Sequence, residues 1–382
     1  MPGRASNPNL LASALLAAGL AGASGAAAQS TRVYSATVPV EIEHDSNPNM
    51  VVGNPRGTTW LRVRPTIAMT QVQGTEEYLL EGGLSAEKSS NSDVAKDRVD
   101  PRLRGMWRHA GELNTGHVEA LLDRRSFRSV DIREAVPTGV DGSRTLMALT
   151  GAWTRELSAL SSFSANLRQA WERYNVSSTP DFRYTTGSVR LTHQAQERRS
   201  WYADVNGHLY RSQDRQDPVL GTVRGTRSRA AGTVVGVNQQ FSERFRADAS
   251  AGVVRFSEPS SDTDWQAALR TEYSGERWQG ALDLSRSPSV RSTLGGLEVT
   301  RAVRLNVRYS LGPLTRLDVD VGHSKGQVAT SRRSLASLAL VRELSPAWEL
   351  TVRATRRQQR ELGGTAAANL IALVLVYNAP DF

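Results

Sequence analysis

From Val38 onward the chain repeats one pattern: apolar residues at every second position, with polar or charged residues between them. Val38, Val40 and Ile42 alternate with Glu41 and Glu43. Phe245, Ala247, Ala249, Ala251 and Val253 alternate with Arg246, Asp248 and Ser250. Val303, Leu305, Val307 and Tyr309 alternate with Arg304, Asn306 and Arg308. Successive side chains of a strand point to opposite faces, so a period of two means extended segments with one apolar and one polar face. No helical period competes with it, and the predicted class is all-β. The longest apolar run after the N-terminal region, Leu370–Tyr377, is far shorter than the ~20 residues of a membrane-spanning helix. With its flanks it matches the ~9–11 residues of a tilted transmembrane strand.

The N-terminal residues read separately. Arg4 is the only charged residue before Arg32, Leu10–Ala21 is apolar, and Ala26-Ala27-Ala28 precedes Gln29 as a small-residue cleavage site. These are the parts of a secretory signal peptide, predicted over residues 1–28 and implying Sec-type export. The chain contains no Cys, so neither a lipid-anchored lipoprotein nor thiolate chemistry is expected. Removing Arg4 leaves 46 basic against 38 acidic residues, and only Lys88, Lys96 and Lys325 are lysines. A mean hydropathy of −0.40 would suit a soluble protein. A transmembrane barrel has the same average, because lumen-facing polar residues offset the lipid-facing apolar ones. No Pro/Ser-rich linker divides residues 29–382, which favours a single unit.

In chain order the alternating segments number about eighteen, or sixteen if Thr145–Arg155 and Arg183–Gln194 are not strands. Short turns, as at Gln73-Gly74-Thr75 and Ser242-Glu243-Arg244, alternate with longer polar loops. This is the rhythm of an up-and-down antiparallel transmembrane β-barrel with short turns at one end and long loops at the other. Tyr78, Trp107, Trp153, Phe163, Trp201, Phe241, Phe245, Tyr273, Trp278, Tyr309, Trp348 and Tyr377 fall at the turn ends of the strands. Trp60, Trp171, Tyr174, Phe182, Tyr184, Tyr210, Phe256 and Trp265 fall near the loop ends. Two aromatic girdles suit rings that prefer the headgroup level, whereas a soluble sandwich would hold its large rings mid-strand.

The polar parity of the strands predicts the lumen lining: Arg62, Arg64, Arg102, Arg104, Arg108, Arg168, Arg246, Arg270, Arg304, Arg308 and Arg353, with Asp248, Glu272, Asp283, Asp318 and Asp320. A wall-to-wall salt-bridge network explains most of these charges. The Arg62/Arg64 and Arg102/Arg104/Arg108 ladders lie on neighbouring hairpins with few acids apparent between them. They suggest a local cationic strip able to select anions, with Asp318 and Asp320 as a smaller acidic counterpart. His44, His109, His117, His193, His208 and His323 are scattered. They form no metal-ligand spacing and no Ser/His/Asp grouping, so no catalytic residue, metal or cofactor is predicted and the chain is read as a non-enzyme. Arginine interleaved with apolar residues in strands is not a nucleic-acid surface.

The C-terminal stretch Ala367–Phe382, AANLIALVLVYNAPDF, resembles the last strand of Gram-negative outer-membrane barrels, which the assembly machinery reads. Asn378 and Pro380 depart from the usual alternation back from the terminal Phe, which suggests a tail after the strand proper. At Glu43-His44-Asp45-Ser46-Asn47-Pro48 the chain resembles β-barrel porin families encoded with exopolysaccharide systems. By itself Asp45-Ser46-Asn47-Pro48 is a turn initiator. The resemblances imply an outer-membrane location, contact with membrane lipid and lipopolysaccharide, and delivery by the barrel assembly machinery. They also imply a passive channel or scaffold linked to polysaccharide export or secretion. A general diffusion porin or small-anion channel for small polar solutes is the alternative. An outer-membrane lipid-modifying enzyme and a soluble adhesin-like β protein are alternatives of other classes. The loop Arg124–Ser143 is the candidate pore plug on length alone.

Overall fold

The computed structural model describes residues 30–127, 140–176, 179–217, 221–258, 261–290, 295–327, 331–361 and 364–380. The proposed signal peptide, most of the Arg124–Ser143 loop and the terminal Phe382 lie outside the described residues. The chain is an antiparallel sheet closed into a barrel of eighteen strands. They are β1 (Ser30–Asp45), β2 (in two segments, Thr58–Val63 and Thr66–Gln73), β3 (Glu76–Ser89), β4 (Arg98–Ala110), β5 (Asn114–Ser126) and β6 (Ser143–Ser158). There follow β7 (Ser161–Tyr174), β8 (Phe182–Gln196), β9 (Arg199–Ser212), β10 (Arg227–Gln240), β11 (Phe245–Glu258) and β12 (Asp262–Ser274). The last six are β13 (Trp278–Val290), β14 (Leu297–Gly312), β15 (Thr315–Gly326), β16 (Arg332–Ser345), β17 (Trp348–Glu361) and β18 (Gly364–Asn378). Both Thr145–Arg155 and Arg183–Gln194 fall within strands, β6 and β8.

Each strand pairs with its sequence neighbours, and β1 pairs with β18 from Thr37 opposite Asn378 to Asp45 opposite Leu370, which closes the sheet. Closure satisfies backbone donors and acceptors that an open edge would leave unpaired. Pro65 interrupts β2 because it has no N–H to donate. The ladder continues around it: Arg64 N–H donates to the Pro39 carbonyl at 3.0 Å, and the Pro65 carbonyl accepts from Leu84 N–H at 3.1 Å. At the short-turn end, Gly74 has φ +59°, a left-handed conformation that glycine adopts without strain.

The two faces have opposite chemistry. Outward-pointing Ile42, Val205, Val235, Val253, Ile371 and Leu373 are exposed, while the alternate residues face inward. An apolar band of this extent on the outside of a closed sheet is the reverse of a soluble fold. The turn-end aromatics lie on this outer face as cross-strand neighbours. Trp278 and Tyr309 have ring centroids 4.2 Å apart, Trp348 and Tyr377 4.9 Å, Phe241 and Phe245 5.4 Å, and Trp153 and Phe163 5.9 Å. Tyr78 is opposite Trp107, and Tyr273 is opposite Phe245.

The expected loop-end girdle is different. Trp265 is exposed, but Trp60 and Tyr210 are fully buried. Phe182, Tyr174, Tyr184 and Phe256 join Tyr210 in one apolar cluster with Ala230, Val254, Leu297 and Val299. Trp60, Tyr174, Phe182, Tyr184, Tyr210 and Phe256 carry the inward parity of their strands; the last five form a core inside the barrel rather than a belt around it, and Trp60 lies outside that cluster. The outer ends of β13 and β14 cover this core. β13 pairs with β12 only as far as Arg286, and the β14–β15 ladder ends at Thr300; beyond it the two strands pair with each other, with one further bond from Gln327 N–H to the Val299 carbonyl at 3.1 Å. It leaves the wall and seats Leu297 and Val299 on Tyr210, Ala230 and Val254.

A second segment, between β1 and β2, locks the seam. Asp45 Oδ1 accepts the Asn47 N–H at 2.8 Å, the Asx turn expected of this sequence. Asn47 Nδ2 donates to the carbonyls of Val51 and Ala367 at 2.9 and 3.0 Å, and Asn47 Oδ1 accepts from Val51 N–H at 2.9 Å. Met50, with φ +50°, packs on Ala366, Ala368 and Leu370 of β18. The small inward side chains of β18 leave room for it. Asn47→Ala removes three bonds at a buried site, and each unsatisfied partner costs about 1–3 kcal/mol. The variant is expected to lose its heat-resistant electrophoretic form at a lower temperature than the parent, with an unchanged strand content by circular dichroism.

Candidate functional site: the barrel lumen

The inward charges are organised by strand neighbours. On the seam wall, Arg62 on β2 donates from Nε to Glu87 Oε1 at 2.7 Å and from Nη1 to Glu41 Oε2 at 3.1 Å, with Glu43 Oε1 3.7 Å from Nη2. Glu41 also accepts from Arg64 at 2.5 Å and from Arg353 at 2.6 Å. Arg353 reaches Glu43 at 3.4 Å, and Arg357 donates to Asp45 at 2.5 Å. Four arginines and four carboxylates from β1, β2, β3 and β17 thus form one neutral network beside the closing seam.

The two arginine ladders do not form a cationic strip. Between them runs β3, whose inward face carries Glu77, Glu81 and Glu87. Arg102 is 3.6 Å from Glu81, Arg108 is 3.9 Å from Glu77, and Arg104 bonds Glu119 at 2.7 Å. The acidic counterpart is neutralised in the same way: Arg304 bonds Asp320 at 2.7 Å, Arg308 bonds Asp318 at 3.0 Å, and Arg316 joins Asp318 to Glu349. On the remaining wall Glu272 pairs with Arg246 and Arg270, and Asp283 lies 3.9 Å from Arg270. Asp248 accepts from the Tyr202 hydroxyl at 2.8 Å. Tyr202 reaches it by lying flat over Gly236, where any side chain would collide with the ring. Arg168 is exposed, opposite Thr150 and Thr186, and among the described residues no carboxylate is paired with it.

Accessibility along the barrel axis is uneven. Near the short turns the inward side chains of Arg108 and Arg246 are 62% and 64% exposed. At mid-height those of Arg62 and Glu41 are 6% and 0% exposed. Towards the loops the interior holds the aromatic core, the β13–β14 ribbon and a further apolar group of Leu121, Leu146, Ala148 and Ala170. The inward side chains are therefore open to solvent on the turn side and increasingly buried from mid-height towards the loops.

Several residues that build the narrow part are absent from the sequence-derived lining. Glu41 and Glu43 alternate with Val40 and Ile42, so parity alone could have included them. Arg357 lies in the part of β17 beyond the clear alternation, and Glu87 borders a polar loop. No periodic signal marks the ribbon at Leu297 and Val299, because both residues have the outward parity of β14.

The histidines stay apart. Nδ1 of His193 lies 3.0 Å from Ser161 Oγ, and Nδ1 of His323 lies 2.9 Å from Ser334 Oγ. Both pairs are exposed, and among the described residues neither ring is bonded to a carboxylate as a hydrolytic triad requires. His109 bonds Glu76 and His208 bonds Tyr184. Among the described residues no group of His, Asp and Glu could hold a metal ion.

Among solved structures, the chain is similar to the outer membrane protein opdK from Pseudomonas aeruginosa (10% identity, TM-score 0.48, covering 92% of this chain and 99% of that one). It is also similar to a BenF-like porin from Pseudomonas fluorescens Pf-5 (10%, 0.47, 91% and 99%). A mutant of the ferric enterobactin receptor PfeA from Pseudomonas aeruginosa matches with 8% identity and a TM-score of 0.52, over 91% of this chain and 80% of that one. At such identity the likeness concerns the fold: a closed, all-antiparallel barrel. No family model and no curated protein matches the chain.

Glu41 tests the network. Glu41→Gln leaves Arg62, Arg64 and Arg353 short of one buried charge, and breaking a buried ion pair from one side costs about 3–5 kcal/mol. The barrel is expected to melt earlier in detergent. Adding Arg353→Met to Glu41→Gln is expected to recover part of that loss, as measured by a double-mutant cycle.

Proposed function

We propose that the chain is an outer-membrane barrel that passes small polar solutes through a narrow, charge-neutral waist. The outward apolar band and the turn-side aromatic girdle support membrane insertion. The observation that carries the solute class is the drop in exposure of the inward charges, from the wide vestibule around Arg108 and Arg246 to the closed network around Glu41 and Arg62. Paired arginines and carboxylates offer both donors and acceptors with little net charge. Such a wall suits uncharged polyhydroxylated or zwitterionic solutes better than anions, since an anion-selecting path needs a ring of unpaired cations. A passing solute exchanges water for these side chains, with no covalent step.

Polysaccharide export, which the resemblance at Glu43–Pro48 implies, needs a wide path, and the β13–β14 ribbon packed inside the barrel works against one. It would require the β13–β14 ribbon to leave its seat on Tyr210 and Val254. No arrangement of the histidines favours a lipid-modifying enzyme. The barrel assembly machinery remains the expected partner for insertion through β18.

Swelling of vesicles carrying the purified barrel tests the proposal. Monosaccharides are expected to enter faster than tetrasaccharides, and sodium and chloride are expected to permeate comparably. Rapid entry of long oligosaccharides into the parent would favour the export duct, and no entry of any solute would reduce the barrel to a scaffold. Leu297→Asp with Val299→Asp places two charges in the apolar seat and is expected to raise the swelling rate several-fold while the strand content stays constant.

A further inference from the structure

We propose that the outer face of the barrel at its loop end carries a binding site for the phosphate groups of a lipid headgroup; this rests on the membrane reading above. The observation is a register of like charges. On β8, β9 and β10, Arg183 is directly opposite Arg211, and Arg211 is directly opposite Arg227. On β14 to β17, Arg301 is opposite Lys325, Lys325 is opposite Arg332, and Arg332 is opposite Arg360. All seven have the outward parity of their strands and are exposed. Arg227 lies 3.3 Å from Glu258. Among the described residues none of the other six is paired with a carboxylate.

Directly opposed side chains on neighbouring strands are close enough for like charges to destabilise the sheet. Among the described residues, two such rows, three and four strands wide, have a single compensating acid on the barrel, Glu258 beside Arg227. The inward arginines are nearly all paired, whereas six of these seven outward cations have no carboxylate partner among the described residues. Their height is informative. Arg301 is eight residues from Tyr309, and Arg211 is ten from Trp201, both members of the turn-side girdle. At about 3.3 Å per residue and a tilt of roughly 40°, the rows lie about 20–25 Å above that girdle. That separation matches the ~25 Å apolar band of a membrane barrel, so the cations stand at the opposite headgroup level. Guanidinium groups bind phosphate through paired N–H donors, and a row of them presents donors at the spacing of adjacent strands. The occupant that fits is an anionic, phosphate-bearing glycolipid of the leaflet at the loop end. The outer girdle is thereby asymmetric: aromatic rings on the turn side, cations on the loop side.

The test uses the full-length barrel refolded into phosphatidylcholine vesicles with or without bisphosphorylated lipid A. Lipid A is expected to raise the temperature at which the heat-resistant form is lost, and to do so less as salt is increased. In the variant Arg301→Gln/Lys325→Gln/Arg332→Gln the apparent affinity for lipid A is expected to be about a hundredfold weaker, given a typical contribution per cation at an anionic surface. Arg211→Gln tests the second row independently, should the triple variant fold poorly. Arg342→Gln, an outward cation at the turn end, is expected to bind lipid A as the parent does. Equal binding by the parent and the triple variant overturns the proposal. So does equal binding of dephosphorylated lipid A, or an equal shift from inorganic phosphate alone. A barrel that inserts and swells vesicles but ignores lipid A refutes only this site. A chain that never inserts refutes the membrane reading with it.

Discussion

Everything in this structure depends on the pairing of β1 with β18. Eighteen half-apolar strands have nowhere to bury their outer faces as separate elements, and an open sheet would end in two rows of unpaired N–H and C=O groups. Joining the first strand to the last removes both edges at once. The seam is reinforced more heavily than any backbone ladder requires: Arg353 and Arg357 reach from β17 past β18 to Glu41, Glu43 and Asp45 on β1, and Asn47 ties the loop after β1 to the Ala367 carbonyl. The small inward side chains Ala366, Ala368 and Ala372 let these arms cross β18.

Closure creates an interior, and the interior must then be filled or wetted. Near the turns water does this, and the arginines there stay exposed beside their acids. At mid-height the charges lose contact with water, so each must be matched by an opposite charge or a strong hydrogen bond. This accounts for the near-balance of Arg with Asp and Glu along the inner wall. Above that level apolar packing is added to buried ion pairs such as Arg144 with Glu172 at 3.2 Å. Tyr210, Phe182 and Val254 form a patch on the wall, and the free end of the β13–β14 ribbon covers it with residues that elsewhere on the strand would face outward. One wall of the upper lumen is thus held by charge and the opposite wall by packing.

Much of this was legible in the sequence. Alternation around Val40, Val253 and Leu305 located the strands and their two faces, and the turn-end aromatics marked one boundary of the outer band. The even strand count followed from turns alternating with loops, and the Asx turn at Asp45 was readable from residue chemistry. The neutral inner wall was not. The ladders at Arg62–Arg64 and Arg102–Arg108 suggest a cationic strip because the sequence alone does not show which arginines Glu77, Glu81 and Glu87 of the intervening strand stand beside. Aromatics near the loops suggest a second girdle by their position along the strands, although Trp60 and Tyr210 share the parity of the lumen positions. Trp60 and Tyr210 sit at girdle height but point inward.

The sequence by itself determined the alternation, and with it the all-β class: strands with one apolar and one polar face must cover the apolar face with a second sheet or with hydrocarbon, and the turn-end aromatics favour hydrocarbon. What only the tertiary structure decided is what stands next to what. Register sets Arg301 against Lys325 and Arg62 against Glu41, and a shift of two residues would keep every face correct while exchanging every partner. Departure from the wall carries Leu297 and Val299 into the lumen against their own parity. Both outcomes depend on contacts between residues far apart in the chain, which a local period of two does not encode.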